Sequence, residues 1–317
     1  PPDTRNPYGT RFVPKLPFLL RVFAQMRSDR AHARDQQLRS RNARRACHKV
    51  PSPLTLGQVD NVAFTIFGFQ VYWYGVLTAV GFVVGFGTAS RRAPRAGLKG
   101  DDVFNLAPWI IVGAILGARA LYVISYWDKE FAGRNWMQIF NMRSGLVFYG
   151  GLIGASIAGI IFCLRQKIGL WRMGDVIGPS IPLGHAFGRL GCFMTGCCYG
   201  KPTDLPWAVC FPADHWTKGA PVHPTQLYES GLNFLFYAGL AWLFQRRRFE
   251  GQVFATYLIG YAILRTITEM FRGDYTESYL GGIATPGQTV SIVIFAAGLI
   301  LWWKQRGARL TPPSAAT

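Results

Sequence analysis

Three arginines stand inside stretches of sequence that are otherwise apolar: Arg119, Arg189 and Arg265. An ionisable group in hydrocarbon is expensive, so it marks a function or a buried partner. At about 100° per residue, His185 and Arg189 share a helix face at i, i+4, and Arg265, Glu269 and Arg272 share another. Arg265 and Glu269 are spaced to form an ion pair. Asp175 and Glu269 are the acids read within these stretches, so the arginines outnumber their partners. Guanidinium is permanently charged, and its planar fork fits phosphate. In a membrane, the abundant anion with that chemistry is a phospholipid headgroup.

Glycines crowd the same neighbourhood. FYGGLIG (148–154) carries Gly150, Gly151 and Gly154, and GRLGCFMTGCCYG (188–200) ends at Gly200. Such density lets helices approach closely, and it lets backbone N–H groups reach a ligand. Beside Arg189 it reads as a cavity wall, with close helix packing as the alternative. VHPTQLYES (222–230) places His223, Gln226, Tyr228 and Glu229 at the start of another apolar run.

Six cysteines are present and none forms a CxxC. For Cys192, Cys197, Cys198 and Cys210 two readings stand: a disulfide from Cys192 or Cys198 to Cys210, or small apolar packing residues. Zinc is not expected, because the spacings are not those of a zinc motif and the nearby His215 is alone. A redox relay would need a quinone site or a thiol partner that the sequence does not display.

The elements that must position these residues are long and apolar. Only 16% of the 317 residues are charged, against about 25% in an average soluble domain. Residues 61–90, 144–164, 230–245 and 278–303 contain no Asp, Glu, Lys or Arg. A helix needs about 20 mostly apolar residues to cross a bilayer. Seven such spans are expected, at about 64–89, 103–126, 145–164, 176–197, 226–245, 252–271 and 285–303. The expected fold is therefore an all-α integral membrane protein with a small outer-face loop region. One set of loops holds thirteen Lys and Arg and the opposite set holds six. The positive-inside rule puts the richer set in the cytoplasm, with the C-terminus inside and the N-terminus outside.

Residues 1–50 carry twelve Lys and Arg against three Asp, part of a formal net charge of +18. No apolar row there is long enough for a signal-peptide core, and the chain does not begin with Met. Residues 1–60 are expected to be an appended, poorly ordered basic extension, or else a contact for anionic lipid. The segment lacks the aromatic interleaving of a nucleic-acid module, and no nucleic-acid partner is expected. Residues 61–305 read as the membrane domain and 306–317 as a cytoplasmic tail.

An ordered set of blocks runs across all seven spans: YWYG (72–75), ARALYV (118–123), SGLVFYGGLIG (144–154), GRLG (188–191), HPTQLYE (223–229) and YAILRTITEMFRGD (261–274). Together they resemble the bacterial prolipoprotein diacylglyceryl transferases. The resemblance implies a seven-span enzyme of the cytoplasmic (inner) membrane. Such an enzyme moves diacylglyceryl from phosphatidylglycerol to the lipobox cysteine thiol of a preprolipoprotein, leaving a thioether and glycerol 1-phosphate. Arg189 and Arg265 match the family's two central arginines. Tyr74, Glu269, Gly150, Gly151, Gly154 and Gly200 also match family positions. Arg119, His223 and Arg272 are the further expected substrate contacts, and a monomer is expected.

The chain departs from many relatives at three places. Tyr149 stands where many carry His, Cys192 where many carry Asn and Cys197 where many carry Glu. These forms are associated with another branch of the family. An unperturbed Tyr, with a pKa near 10, is a poor base at neutral pH. Tyr149 is the expected third catalytic residue, as orienter, base or wall, with His223 and His185 as fallback bases. Sulfur attacks the glycerol carbon, and the arginines clamp the leaving phosphate. This chemistry requires no metal or organic cofactor, and no metal motif is seen. An anionic-solute transporter, a membrane thiol–disulfide oxidoreductase and a non-transferase relative are the other readings.

Overall fold

A computed structural model describes residues 54–55, 61–132, 136–141, 145–212, 214–273 and 286–307. Most of the expected basic extension and the tail from 308 onward lie outside the described residues.

The chain is mostly helical. Eight α-helices are described: α1 Trp73–Arg92, α2 Gly100–Ser125, α3 Phe148–Arg165, α4 Leu170–Ile177, α5 Ser180–Thr195, α6 Thr225–Gln245, α7 Gln252–Phe271 and α8 Pro286–Gln305. Four helical stretches are long and apolar enough to cross a membrane: Trp73–Ala96, Gly100–Ser125, Phe148–Arg165 and Gly287–Gln305. Their outer faces carry exposed Val83, Leu116, Ile124, Leu164 and Ile292. Apolar side chains in such rows call for hydrocarbon rather than water around them. This is a multi-pass membrane protein.

Two expectations need correction. The run taken as the start of the first span is a β-hairpin, with β2 Val62–Ile66 paired to β3 Phe69–Tyr72. Phe67 (φ 48°) and Gly68 (φ 82°) turn it, both left-handed. A two-residue loop with positive φ at both positions suits the twist of paired strands. Alternating β-branched and aromatic residues supply the strand propensity. The helix starts only at Trp73. The fourth expected span is also broken, because α4 and α5 meet at Gly178–Pro179. Proline has no N–H to continue the helical ladder.

The described residues fall into two compact units. The smaller holds a three-stranded sheet of order β1–β4–β5, from β1 Leu54–Thr55, β4 Val209–Cys210 and β5 Pro221–Val222. Its interior is Ala208, Val209, Phe211 and Val222. The larger unit contains all the helices.

In that unit α2 packs on α3 through paired glycines. A Cβ on Gly117 would lie 2.3 Å from the Gly150 carbonyl oxygen, and one on Gly154 would lie 2.1 Å from that of Gly113. Each helix offers Gly-x3-Gly to the other, which lets the backbones touch. A second line of contact joins α1 to α5, where a Cβ on Gly81 would crowd Phe187 and Gly184. Ser230 of α6 donates to the Ala186 carbonyl of α5 at 3.0 Å. Thus α5 is held between α1 and α6. The start of α7 is fixed by buried Asp175. Its carboxylate accepts from the amides of Gly251 (2.8 Å), Val253 (2.9 Å) and Phe254 (3.0 Å). These are N-terminal amides that no helical carbonyl can reach. The α5–α6–α7 frame carries most of the polar residues singled out above.

Candidate functional site

Four charged side chains form one chain across α5, α6 and α7. Glu229, near the start of α6, pairs with Arg189 of α5 through Oε2 and with Arg265 of α7 through Oε1 (3.2 Å). Arg265 continues to Glu269 one turn on, Nη2 to Oε2, at 2.7 Å. Glu229 and Glu269 are each 4% exposed. The ion pair expected between Arg265 and Glu269 is present. The expected shortage of acids is not, because Glu229 is a third acid and it serves both arginines. Gly287 of α8 leaves room for Glu269, since a Cβ there would stand 2.9 Å from Oε1.

Among the described residues, Arg189 pairs with Glu229 through Nε, and the same nitrogen donates a hydrogen bond to His185 Nε2 at 3.0 Å. His185 accepts that bond with Nε2, so its ring proton sits on Nδ1. A lone pair committed in this way makes His185 a weak choice of base.

Around the charged chain stand the other expected residues. Tyr74 of α1 packs on Gly191, where a Cβ would lie 3.0 Å from its ring, and it interacts with Cys192, Cys197 and Arg189. Arg272 follows the end of α7 in an extended conformation (φ −70°, ψ 140°). The helical phase reading therefore does not apply to it. Its charge still reaches Arg189 and Cys198. Tyr149 of α3 is partly exposed and interacts with Tyr261, which in turn faces Arg189, Arg265 and Glu229.

The segment after α5 is stitched to both neighbouring helices. Gly200 N–H donates to the His223 carbonyl (3.0 Å), Lys201 N–H to that of Phe271 (2.8 Å), and Gly273 N–H to that of Tyr199 (3.2 Å). A Cβ on Gly200 would lie 2.5 Å from that of His223, so no larger residue fits. His223 Nδ1 lies 3.3 Å from the Tyr228 hydroxyl, and its ring meets Phe271 edge-on. Burial pushes the His223 imidazole below its ordinary pKa, which favours the neutral ring.

Other expected residues lie elsewhere. Arg119 is 4% exposed and donates to three carbonyls: Ile139 (2.6 Å), Gln138 (2.7 Å) and Gly145 (3.1 Å). Its guanidinium also stacks near Tyr122 and Phe131. It ties the end of α2 to the segment leading into α3. Gly150 and Gly154 are spent on the α2–α3 contact, and Gly151 approaches Ala114 O at 3.3 Å. These glycines follow the packing alternative rather than the cavity wall.

Of the two readings of the cysteines, the disulfide from Cys192 or Cys198 to Cys210 is the one the structure overturns. Cys163, Cys192, Cys197 and Cys198 are free, whereas Cys210 is disulfide-bonded. Neither Cys192 nor Cys198 is the partner of Cys210. The Sγ atoms of Cys192, Cys197 and Cys198 all lie within 4.8 Å of one another.

Sequence reasoning placed Glu229 at an interface but missed its role. The signal was its position on α6 one helical turn from Gln226, within the seventh-residue repeat that also brings Asn233 inward.

Fold and site together define a polytopic helical membrane protein with a buried arginine–carboxylate chain beside a trio of thiols. A family model described as prolipoprotein diacylglyceryl transferase matches residues 61–304. The chain is 38% identical over 250 residues to a protein of Finegoldia magna, covering 78% of this chain and 96% of that one. It is 37% identical over 243 residues to one of Clostridioides difficile, covering 76% and 94%. It is 36% identical over 260 residues to one of Legionella pneumophila (strain Lens), covering 80% and 100%. All three are named phosphatidylglycerol–prolipoprotein diacylglyceryl transferase. The chain belongs to the prolipoprotein diacylglyceryl transferase family.

Proposed function

We propose that this protein transfers the diacylglyceryl group of phosphatidylglycerol to the lipobox cysteine thiol of a preprolipoprotein, the first step of lipoprotein maturation. The observation that carries the site assignment is the Arg189–Glu229–Arg265–Glu269 chain. Arg189, Arg265 and Arg272 against Glu229 and Glu269 leave one positive charge. That matches the single negative charge of a phosphodiester. Glu229 holds the two arginines in place through one side of each, and the outer donors of Arg189 face the headgroup. Arg272 adds charge from the other side.

The reaction breaks the bond from glycerol carbon to phosphate oxygen and forms a bond from that carbon to sulfur. The phosphate gains negative charge as it leaves. Donors already fixed around it stabilise that charge without reorganising. They also hold the carbon in line with sulfur. The thiol must lose its proton, since the thiolate is the nucleophile. His223, neutral and at the mouth of α6, is better suited to accept it than His185. Tyr149 and Tyr74 line the headgroup side. An apolar groove of about 460 Å³ along α1, lined by Val76, Val80 and Val83, would take an acyl chain.

In this reading all seven spans cross the bacterial inner membrane, α4 and α5 together forming the fourth. The N-terminus faces outward, the C-terminus lies in the cytoplasm, and the protein acts as a monomer. Residues 61–305 form the transferase domain.

The test is a transfer assay. Purified protein in phosphatidylglycerol vesicles is given a lipobox peptide, and the peptide mass is followed. Wild type adds one diacylglyceryl group. Arg189→Ala, and a peptide with Cys replaced by Ser, add none. No mass gain by folded wild type would refute the assignment.

A further inference from the structure

The three thiols beside the arginines have no place in that account. α5 ends at Thr195, and Gly196 (φ 79°) turns the chain back. Cys198 adopts a left-handed φ of 61°, which a non-glycine residue takes only at a cost. The result places Cys197 and Cys198 over Cys192, all three sulfurs within 4.8 Å. The loop is pinned there from α6. Buried Gln226 donates to the Cys197 carbonyl at 2.7 Å, and buried Thr225 donates to that of Cys198 at 2.8 Å. Arg189 interacts with Cys192 and Cys198, and Arg272 with Cys198, so positive charge offsets any thiolate formed. Cys197 is exposed, which leaves the trio open on one side.

Zinc bound by thiolates sits about 2.3 Å from each sulfur in a tetrahedron, which sets the sulfurs about 3.8 Å apart. A contraction of under about 1 Å brings this trio to that spacing. Three protein ligands with an open fourth position is the pattern of catalytic rather than structural zinc. Soft thiolates select zinc or Cu(I) over hard cations, and the nearby carboxylates are already engaged by arginine. The spacing Cys-x4-Cys-Cys argued against zinc in the sequence. The two left-handed residues are what overcome it.

We propose that Cys192, Cys197 and Cys198 bind one Zn²⁺ whose fourth ligand is the thiol of the acceptor peptide. The metal site stands on this geometry alone, and the role of its fourth position rests on the transferase reading. The acceptor thiol binds zinc and releases its proton to water or His223. Sulfur then attacks the glycerol carbon, the carbon–oxygen electron pair leaves with the phosphate, and the neutral thioether departs from the metal. Zinc remains Zn²⁺ throughout.

The test uses the full chain in nanodiscs. After loading with Zn²⁺ and desalting, wild type holds about one zinc per chain. Cys192→Ser, Cys197→Ser and Cys198→Ser each release it. Cys197 is exposed and Ser keeps a donor for the Cys192 carbonyl, so an unchanged melting temperature of Cys197→Ser separates ligand loss from misfolding. Gln226→Met weakens zinc binding about 10-fold by freeing the loop. With Co²⁺ in place of zinc, wild type shows an intense near-ultraviolet thiolate-to-cobalt band. The lipobox peptide changes the cobalt spectrum, and its Cys→Ser form does not. Wild type that binds no zinc, with all three thiols freely titratable or two of them joined in a disulfide, overturns the site. Zinc bound with a cobalt spectrum blind to the thiol peptide overturns the fourth-ligand role. So does transfer that runs at full rate after complete removal of zinc. Zinc and thiol binding without transfer would instead count against the transferase reading and leave the metal site standing.

Discussion

Two arginines within the helices of this chain, Arg119 buried and Arg189 partly buried, have different surroundings. Arg119 gives its donors to the carbonyls of Gln138, Ile139 and Gly145 and stacks against aromatic rings. Among the described residues, Arg189 is hydrogen-bonded and ion-paired through Nε, to His185 and Glu229. Both satisfy the rule that charge inside a membrane protein must find partners. Under the proposed function, Arg189 offers the outer edge of its fork to the headgroup and Arg119 does not. The same contrast runs through the glycines. Those of α2 and α3 bring two backbones together, whereas Gly191 and Gly200 clear space for Tyr74 and His223. If the proposed function holds, burial of a charge marks importance, and the partners of its individual nitrogens separate a rivet from a binding group.

This contrast can be broken by substitution. The largest effect on transfer is expected at Arg189, where Arg189→Ala lowers it by at least about 10³-fold in a vesicle assay. Because the change also takes a partner from buried Glu229, the melting temperature falls too, and transfer is compared per folded protein. Next comes Glu229→Ala, which takes the shared carboxylate from Arg189 and Arg265. Removal of one partner from a buried pair costs about 3–5 kcal/mol. Both thermal stability and transfer should collapse, and transfer that survives would show that Glu229 does not hold the clamp. Asp175→Ala leaves three amides at the start of α7 without an acceptor. By analogy with helix N-caps it should cost about 1–2 kcal/mol, read as a lower melting temperature with a smaller change in KM.

The smallest effect concerns pH. The folded His223 holds its proton less tightly than an ordinary imidazole, whose pKa is 6.5. A depressed histidine contributes stability in full above pH 6.5, and loses it as pH falls through the folded value. Folded His223 is lost as the proposed proton acceptor only as pH falls through its lowered value. Transfer by wild type should therefore fall on an acid limb lying below pH 6.5, and that limb should be absent from the residual transfer of His223→Gln. A profile identical in both proteins would remove His223 from the proton path.

Much of the helical plan was legible in the sequence because a membrane helix is written as a long run without charge. Boundaries within those runs were not. Residues 61–72 are as apolar as a span, and only the Phe67–Gly68 turn and the alternation around it mark a hairpin. Gly178–Pro179 was visible as a breaker, yet the run of apolar residues across it read as one span. At the site, helical spacing correctly paired Arg265 with Glu269 and His185 with Arg189. It could not find Glu229 as the bridge, because that contact joins residues 40 and 36 positions apart on three helices. The thiol trio was hidden for a related reason, since its closeness comes from backbone at positive φ that no helical or strand period encodes.

The most direct test sets the two arginines side by side. Arg189→Lys and Arg119→Lys each keep the charge and lose the planar fork. Transfer from phosphatidylglycerol to a lipobox peptide and thermal unfolding would be measured for both. The account predicts that Arg189→Lys loses about 10²-fold or more in kcat/KM while melting close to wild type. Arg119→Lys is predicted to melt at a lower temperature yet retain most of its kcat/KM. Equal transfer by Arg189→Lys and wild type, or a loss of catalysis confined to Arg119→Lys, would contradict it.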